Sequence, residues 1–156
     1  MGFLMVDGTA YKSRPYDVML YEEVCFLKAE AMERGFIAGN AKEEYEKGVR
    51  ASFTTWGVAA IVDVYLASTD KNIAGTSANY DDTAGDGNTR LEKIITQKYI
   101  AAFPDVAMES WNDKRRLNLP RFDVGESRNE SFYSASNKDI KDPTNFIRRV
   151  QYPEPE

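Results

Sequence analysis

Apolar residues recur every three or four positions through residues 18–34, and this spacing limits the fold more than any other feature of the chain. The recurring residues are Leu20, Val24, Leu27 and Ala31. Side chains at such intervals share one face of an α-helix, so the segment from Val18 to Arg34 is predicted to be helical. Met19 and Phe26 interrupt its polar side. This pattern predicts a helix that packs against neighbours on two sides.

Capping residues mark where two further helices begin. Asn40, followed three residues later by Glu43, is predicted to start a second helix that reaches Trp56. Thr89 and Glu92 form the same capping-box pattern at the start of another helix. Both patterns satisfy backbone N–H groups that the first turn of a helix leaves unpaired.

The remaining predicted helices cover residues 58–68, 89–103 and 106–118. The link between the first two helices is short, so they are expected to form an antiparallel hairpin. No pair of strands is apparent. The predicted fold class is therefore mainly α, with helical hairpins of the tetratricopeptide type, although the tetratricopeptide consensus is not matched residue by residue. Long irregular stretches are expected at residues 68–88 and in the C-terminal segment 121–156.

The composition excludes several classes of function. The chain has no histidine and one cysteine, which removes histidine-based catalytic triads, histidine-ligated zinc and internal disulfides. Its net charge of −5 provides no basic face, so no nucleic-acid partner is expected. Cys25 lies within the first helix and is interpreted as a buried, small apolar residue. No cofactor and no catalytic residue are predicted.

Three aromatic residues are candidates for ligand binding. Trp56 lies at the predicted end of the second helix. It continues the apolar stripe of that helix, so a core position is the preferred interpretation, and the alternative is an indole that stacks on a sugar ring. Tyr80 is predicted to be exposed on the polar loop. Tyr11 either packs under the first helix or faces the rest of a larger protein.

Trp111, Arg115 and Arg116 are assigned a structural role. Trp111 and Arg115 are four residues apart on one helix face, so the guanidinium can stack on the indole and the pair could hold a sugar or an anion. The preferred interpretation is a packing clamp between the last two helices. In that clamp Arg115 or Arg116 binds a carboxylate or a helix C-terminus.

Acidic residues cluster in the loop of residues 68–88. Asp81, Asp82, Asp86 and Asn88 carry the oxygen atoms that calcium prefers, but their spacing does not fit an EF-hand loop. A solvated, flexible loop is the preferred interpretation, and no metal site is assigned. Neighbouring acids on the helices diverge by about 100° around the axis, so they do not form the facing pair that a glycosidase requires.

Four runs of sequence, in order, resemble segments of SusD/RagB-family proteins, the nutrient-binding outer-membrane lipoproteins of Bacteroidetes. VMLYEEVCFLKAEAMERGF resembles the helix that opens the C-terminal half of that family, and YEKGVRASFTTWG resembles the helix that follows. LEKIITQKYIAAFPDVAMESWNDKRRLNLPRF resembles its helix pair ending in two arginines and a proline. IRRVQYPEPE is similar to the arginine-tyrosine-proline segment near the family's C-terminus. The similarity covers most of residues 17–156.

The resemblance implies a protein that binds and does not catalyse. Family members are held at the cell surface by an N-terminal lipidated cysteine. Each acts as a lid on a SusC-type TonB-dependent transporter and captures oligosaccharides or peptides without a cofactor. The resemblance also implies that residues 1–156 are the C-terminal part of such a protein, with the signal and the lipid anchor outside this sequence. The two-sided first helix then predicts an apolar patch against which the rest would dock.

Two alternatives stay open. A helical-repeat adaptor would bind another protein in a groove between hairpins, without any nutrient. A fragment of a glycoside hydrolase would require two acids that face each other across a cleft.

Overall fold

The computed structural model describes residues 18–103 and 107–121, which contain five α-helices. The helices are α1 (Tyr21–Glu33), α2 (Ala41–Thr55), α3 (Val62–Ala67), α4 (Arg90–Ala101) and α5 (Ala107–Leu117), and a 3-10 turn (Ala59–Ile61) precedes α3. Within these ranges the one β interaction is an isolated antiparallel bridge between Lys71 and Ser77. The predicted mainly α fold is confirmed. None of the helices described is long and apolar enough to cross a membrane.

The two predicted caps are present. The Asn40 side chain accepts hydrogen bonds from the backbone N–H groups of Lys42 and Glu43, at 3.1 and 3.4 Å. The Thr89 hydroxyl accepts from the Glu92 N–H at 3.2 Å, and the Glu92 carboxylate accepts from the Thr89 N–H at 2.9 Å. These bonds fix the first turns of α2 and α4, which therefore begin where the sequence predicts.

Helices α1 and α2 form the predicted antiparallel hairpin. Thr55 at the end of α2 donates to the Glu22 carboxylate at the start of α1, at 3.3 Å. Lys28 in the middle of α1 pairs with Glu44 near the start of α2, at 2.7 Å. The contacts thus pair opposite ends of the two helices, as an antiparallel arrangement requires.

The core lies where α1, α2 and α4 meet. Its buried apolar members are Phe26, Ala29, Tyr45, Val49, Val62, Tyr80, Ile94 and Ala101. Gly48 brings the helices of the hairpin close together, because a Cβ atom at this position would lie 2.7 Å from Cε1 of Phe26. Phe26 in turn packs edge-on against Tyr45, with ring centroids 6.3 Å apart. Cys25 is buried, as predicted.

The buried face of α1 is not the apolar stripe that the sequence predicts. Val24 and Leu27, two members of that stripe, are exposed, as is the adjacent Tyr21. The buried residues of α1 are Glu22, Glu23, Cys25, Phe26, Ala29 and Glu30. Helices α2 and α4 pack on this side and accommodate the Phe26 ring. Helix α5 supplies the partner of the Glu30 carboxylate, and α2 supplies the partner of the Glu22 carboxylate.

Candidate functional site

The loop between α3 and α4 is organised around the buried side chain of Lys93. Lys93 lies near the start of α4 and is 0% exposed. Its Nζ donates to the Ser77 hydroxyl at 2.7 Å, to the Ser77 carbonyl at 3.1 Å and to Oδ1 of Asn88. Because an ammonium group carries three protons, these bonds use its full donor capacity. The Lys93 ammonium therefore connects Ser77 and Asn88, at two separate points of the loop, to α4.

Asn88 joins the two halves of this loop to each other. Its Oδ1 accepts from the Ser77 backbone N–H at 2.8 Å, and its Nδ2 donates to the Asp82 carbonyl at 2.8 Å. The Thr76 hydroxyl donates to the Gly87 carbonyl at 2.6 Å beside this junction. The buried loop residues next to these bonds include Thr76, Ser77, Ala78 and Asn88. The expectation of a wholly solvated loop is therefore wrong for its inner part.

Hydrogen bonds through Ser77 and Asn88 connect the Lys93 ammonium to the Asp82 carboxylate. Burial lowers the pKa of Lys93, because removal from water disfavours the charged ammonium. The Ser77 hydroxyl, followed by the Ala84 backbone N–H, lowers the pKa of Asp82 below its usual range. Ser77 and Asn88 both donate to Oδ2 of Asp82, at 3.0 and 3.2 Å. The Asp82 carboxylate thus compensates the lysine charge through two polar side chains.

Tyr80 is buried, so the prediction of an exposed tyrosine is wrong. The residue is only 5% exposed, and its ring packs against Tyr45 with centroids 5.2 Å apart. Its hydroxyl donates to Oε2 of Glu33 at 2.6 Å. Burial, with this hydrogen bond as the second cause, raises the pKa of Tyr80 above its usual range. Tyr80 therefore fastens the loop to α1 and offers no open ring face for a sugar.

Trp56 stands at the end of α2 and is 40% exposed. Gly57 follows with a φ of 70°, and the Val58 N–H donates to the Phe53 carbonyl at 2.9 Å. These features form a Schellman motif, which turns the chain sharply after Trp56. Because Trp56 is 40% exposed at this turn, the preferred interpretation of a core position is wrong. Trp56 therefore presents part of its indole to solvent at the end of α2.

A cavity of about 430 Å³ between α1 and α5 is a second candidate surface. Its apolar lining comes from Leu27, Ala31 and Phe36. Its polar lining comes from Glu30, Arg34, Lys98, Glu109, Asn112, Asp113 and Arg116. The Glu30 carboxylate accepts two bonds from the Arg116 guanidinium, one of them at 2.8 Å from Nη2 to Oε2. The cavity therefore combines apolar surface from Leu27, Ala31 and Phe36 with acids and bases of which most are paired with each other.

Arg116 joins α5 to α1, whereas the predicted clamp joined the last two helices, α4 and α5. In addition to Glu30 on α1, Arg116 binds Asp113 on its own helix at 2.8 Å, and Asp113 pairs with Lys98 on α4 at 2.9 Å. Trp111 and Arg115 lie on the exposed side of α5 and do not line the cavity, and their structural role stays a prediction. Tyr11 lies outside the described residues.

The acids of the loop do not converge on one point. Asp81 pairs with Lys42 at 2.5 Å, and Asp86 pairs with Arg121 at 2.6 Å. Asp82 is held inside the loop by the bonds described above. In the part of the chain that the structure describes, no group of three or more His, Cys, Asp or Glu side chains could hold a metal ion. The geometry gives calcium no shared set of ligands among these residues.

Lys93 is the organising residue that the sequence analysis missed. Residues 92–98 of α4 are all buried, so a lysine among them must find acceptors inside the protein. The preceding loop is rich in hydroxyl and amide side chains, which are suitable acceptors. The loop composition is visible in the sequence, but the burial of Lys93 is not, so the sequence carries only part of this signal.

The described residues thus form a helical hairpin packed on further helices, with several exposed aromatic side chains and several acids paired with bases. The SusD-like family model, described as starch-binding and associating with the outer membrane, matches residues 5–153. The chain therefore belongs to this SusD-like family. Comparison with curated protein sequences gave no match.

Two crystal structures show how the chain relates to larger relatives. A SusD homolog from Parabacteroides distasonis is 65% identical, with a TM-score of 0.79, and the match covers 98% of this chain and 30% of that chain. A SusD homolog from Bacteroides vulgatus is 36% identical, with a TM-score of 0.57, and the match covers 65% of this chain and 23% of that chain. The SusD-like fold is thus confirmed. The chain spans about 30% of the length of the first relative and corresponds to 23% of the second.

Proposed function

We propose that this chain contributes to the capture of an oligosaccharide at the outer membrane and acts there with a SusC-type TonB-dependent transporter. The observation that supports this function is membership in a family described as starch-binding and associating with the outer membrane. In this proposal residues 1–156 form the C-terminal part of a surface-exposed binding protein. A peptide is the alternative ligand.

Among the described residues, we assign the contact with the sugar to Trp56. Its indole is 40% exposed and lies beside a sharp turn that also exposes Val58 and Ile61. A pyranose ring presents C–H groups that stack on an aromatic face, and amphipathic aromatic rings are common anchors in binding sites. The exposed Trp56 indole therefore suits an uncharged sugar better than an ionic ligand.

In this proposal the chain binds its ligand and does not cleave it. Glycosidases use two carboxyl groups that face each other across the substrate, roughly 5–10 Å apart. The acids of the cavity include Glu30, which binds Arg116, and Asp113, which binds Lys98. Both carboxylates are therefore engaged by bases of this chain and do not face each other across an open substrate site.

Affinity electrophoresis in gels that contain soluble starch, followed by calorimetry with a panel of oligosaccharides, tests this proposal. The wild-type chain should be retarded by at least one glycan. Trp56→Ala should remove the retardation or raise the Kd about tenfold, which corresponds to about 1.4 kcal/mol. Absence of retardation by every glycan in the panel would contradict glycan capture by this chain.

Trp111→Ala is the matched control, because it removes a second half-exposed indole from another helix. We expect it to leave glycan retardation unchanged. Tyr80→Phe should also bind normally, because the Tyr80 ring is buried. Equal losses of glycan retardation in the Trp56 and Trp111 variants would contradict the assignment of the sugar contact to Trp56. An adaptor protein without a nutrient would show no effect of Trp56→Ala on glycans at all.

The transporter is tested separately. A tagged chain should retain a TonB-dependent transporter from detergent-solubilised Bacteroidetes outer membranes. Retention of other outer-membrane proteins without any transporter would contradict this part of the proposal.

A further inference from the structure

Lys93 and Asn88 hold an amine and a carboxamide side by side in a part of the molecule closed to water. Both residues are 0% exposed, and Ser77, which contacts both, is 2% exposed. The Lys93 Nζ donates to Oδ1 of Asn88. The carboxamide carbon, Cγ, is bonded to this oxygen, so it lies one bond beyond the contact. An amine beside the carbon of a carboxamide is the arrangement from which an amide bond between two side chains can form.

The surroundings of Lys93 favour the neutral amine, which is the form that acts as a nucleophile. Burial lowers the pKa of Lys93, and the charge of Asp82, which acts in the opposite direction, does not outweigh burial. The three acceptors of Nζ are a hydroxyl, a backbone carbonyl and a carboxamide oxygen, all of them neutral. Neutral acceptors stabilise an ammonium group less than a carboxylate would.

The Asn88 carboxamide is held in place, and a donor points at its oxygen. Its Nδ2 donates to the carbonyls of Asp82 and Ala84, at 2.8 and 3.2 Å. Its Oδ1 accepts from the Ser77 backbone N–H at 2.8 Å. Attack on Cγ moves negative charge to Oδ1, and a donor fixed before the reaction stabilises that charge, as in an oxyanion hole.

A chain of hydrogen bonds leads from the amine to the nitrogen that would leave. The Lys93 Nζ donates to the Ser77 hydroxyl at 2.7 Å, and this hydroxyl donates to Oδ2 of Asp82 at 3.0 Å. The same Oδ2 accepts from Nδ2 of Asn88 at 3.2 Å. The Asp82 carboxylate can therefore take a proton from Nζ through the Ser77 hydroxyl and then give a proton to Nδ2. It serves first as a general base and then as a general acid.

We propose that Lys93 and Asn88 react with each other to form an amide bond between their side chains. The Nζ–Cγ bond forms, the Cγ–Nδ2 bond breaks, and Nδ2 leaves as ammonia. One proton passes from Nζ to Nδ2 by way of Ser77 and Asp82. The lysine gives up its extra proton to solvent before the attack, and the released ammonia takes one up, so the positive charge leaves as ammonium. No oxidant, reductant or other reactant is required.

The capping box of α4 disfavours the common alternative reaction of an asparagine. In that reaction the backbone nitrogen of the next residue attacks Cγ and gives a succinimide. The next residue is Thr89, whose backbone N–H is engaged with the Glu92 carboxylate at 2.9 Å. The Lys93 amine is thus the nucleophile that the fold holds beside Cγ, and such proximity accelerates a reaction strongly.

Mass spectrometry of the full chain tests the proposal. The folded wild-type chain, incubated after purification, should be lighter by one ammonia than the mass calculated from its sequence. Trypsin cuts after lysine and arginine, so it should release residues 72–90 joined to residues 91–98, without cleavage after Lys93. A succinimide at Asn88 would give the same loss of mass but leave Lys93 open to trypsin, and this result would overturn the proposal.

Asp82→Asn and Asp81→Asn form the matched pair of variants. Asp82→Asn removes the acid from the proton path and should slow formation of the bond by roughly 100-fold. Asp81 is the neighbouring acid, but it pairs with Lys42 outside the site, so Asp81→Asn should form the bond as the wild type does. Circular dichroism checks that both variants fold. Lys93→Met, which has no amine, should keep its full mass.

Two further results would contradict the inference. One is a folded wild-type chain whose mass stays unchanged on long incubation, and this measurement does not depend on the folding of any variant. The other is equal rates of bond formation in Asp82→Asn and Asp81→Asn, which would rule out the proton path. The experiment uses no ligand, so its outcome is independent of whether the chain binds a glycan.

Discussion

Lys93 and Ser77 lie 16 residues apart in the sequence, and the Lys93 ammonium donates to both the hydroxyl and the carbonyl of Ser77, at 2.7 and 3.1 Å. The same ammonium binds Asn88 and is closed off from solvent. The conformation of the loop before α4 is therefore determined by a side chain of the helix that follows it.

Lys93→Met should lower the free energy of unfolding by about 2–3 kcal/mol, because it leaves the buried Ser77 carbonyl without its donor. Hydrogen exchange in residues 76–88 should become faster in the same variant. Chemical denaturation and mass spectrometry measure the two effects.

Lys71→Met is the control for this variant. The Lys71 ammonium donates to the Ala84 carbonyl at 2.5 Å in the same loop, but Lys71 is exposed. Water can replace its hydrogen bond, so stability should stay within experimental error. Equal effects of the two substitutions would contradict the role assigned to Lys93.

Gly48→Ala should destabilise the protein, although alanine favours helices. The new Cβ would lie 2.7 and 2.8 Å from two ring atoms of Phe26, which is buried and has little room to move. Overpacking of this kind costs about 1–3 kcal/mol, against a gain of about 1 kcal/mol in helix propensity. Thermal and chemical denaturation measure the net loss. In a Phe26→Leu background the same substitution should cost less, and strict additivity of the two changes would argue against the contact.

Arg116→Met should lower stability by about 1–2 kcal/mol, because it leaves the nearly buried Glu30 carboxylate without its bidentate partner. The melting temperature measures the loss. Arg50→Met is the control, since Arg50 and Asp63 form an exposed pair at 2.7 Å between α2 and α3. Exposed ion pairs contribute little, so this control should melt like the wild type. A larger loss of stability in Arg50→Met than in Arg116→Met would contradict the role assigned to the contact between Arg116 and Glu30.

Stability should fall as the pH rises above about 10. Burial raises the pKa of Tyr45, whose hydroxyl donates to the Ala78 carbonyl at 2.7 Å, and burial also raises the pKa of Tyr80. In the unfolded chain both phenols lose their protons near pH 10. The unfolded state then binds fewer protons than the folded state, so the stability that the phenols provide below pH 10 is lost as the pH rises through their folded-state pKa.

Chemical denaturation between about pH 9 and pH 11 measures this loss. The double variant Tyr45→Phe, Tyr80→Phe should show a flatter dependence on pH than the wild type. An identical slope in the two proteins would contradict the assignment to these phenols.

The helix boundaries were the most predictable part of the fold. The cap of Asn40 and the capping box of Thr89 with Glu92 depend on atoms within four residues of each other. The glycines that follow α1 and α2 are equally local signals, because Gly35 and Gly57 both adopt a positive φ that favours glycine. Such signals are visible in the sequence because they need no partner from elsewhere in the chain.

The orientation of α1 could not be predicted in the same way. The helix has apolar residues on two sides, and helical spacing alone does not reveal which side meets α2 and α4. The packing is decided by the close approach of Phe26 to Gly48 and by partners for the buried Glu30. Both depend on residues that are distant in the sequence.

Exposure was the property of the candidate site that the sequence failed to predict. Tyr80 lies among polar loop residues, but these residues form hydrogen bonds with one another and the Tyr80 ring packs against Tyr45. Trp56 continues the apolar stripe of α2, but the turn after Gly57 leaves its indole exposed. Polar composition therefore does not imply contact with water where side chains satisfy one another.

The buried lysine also determines which piece of the protein could be transplanted. A graft of residues 68–88 alone onto another scaffold would lack the Lys93 ammonium that holds the loop together. The inserted segment would therefore lose its conformation. The smallest portable unit extends through Lys93 and carries the opening turn of α4 with it.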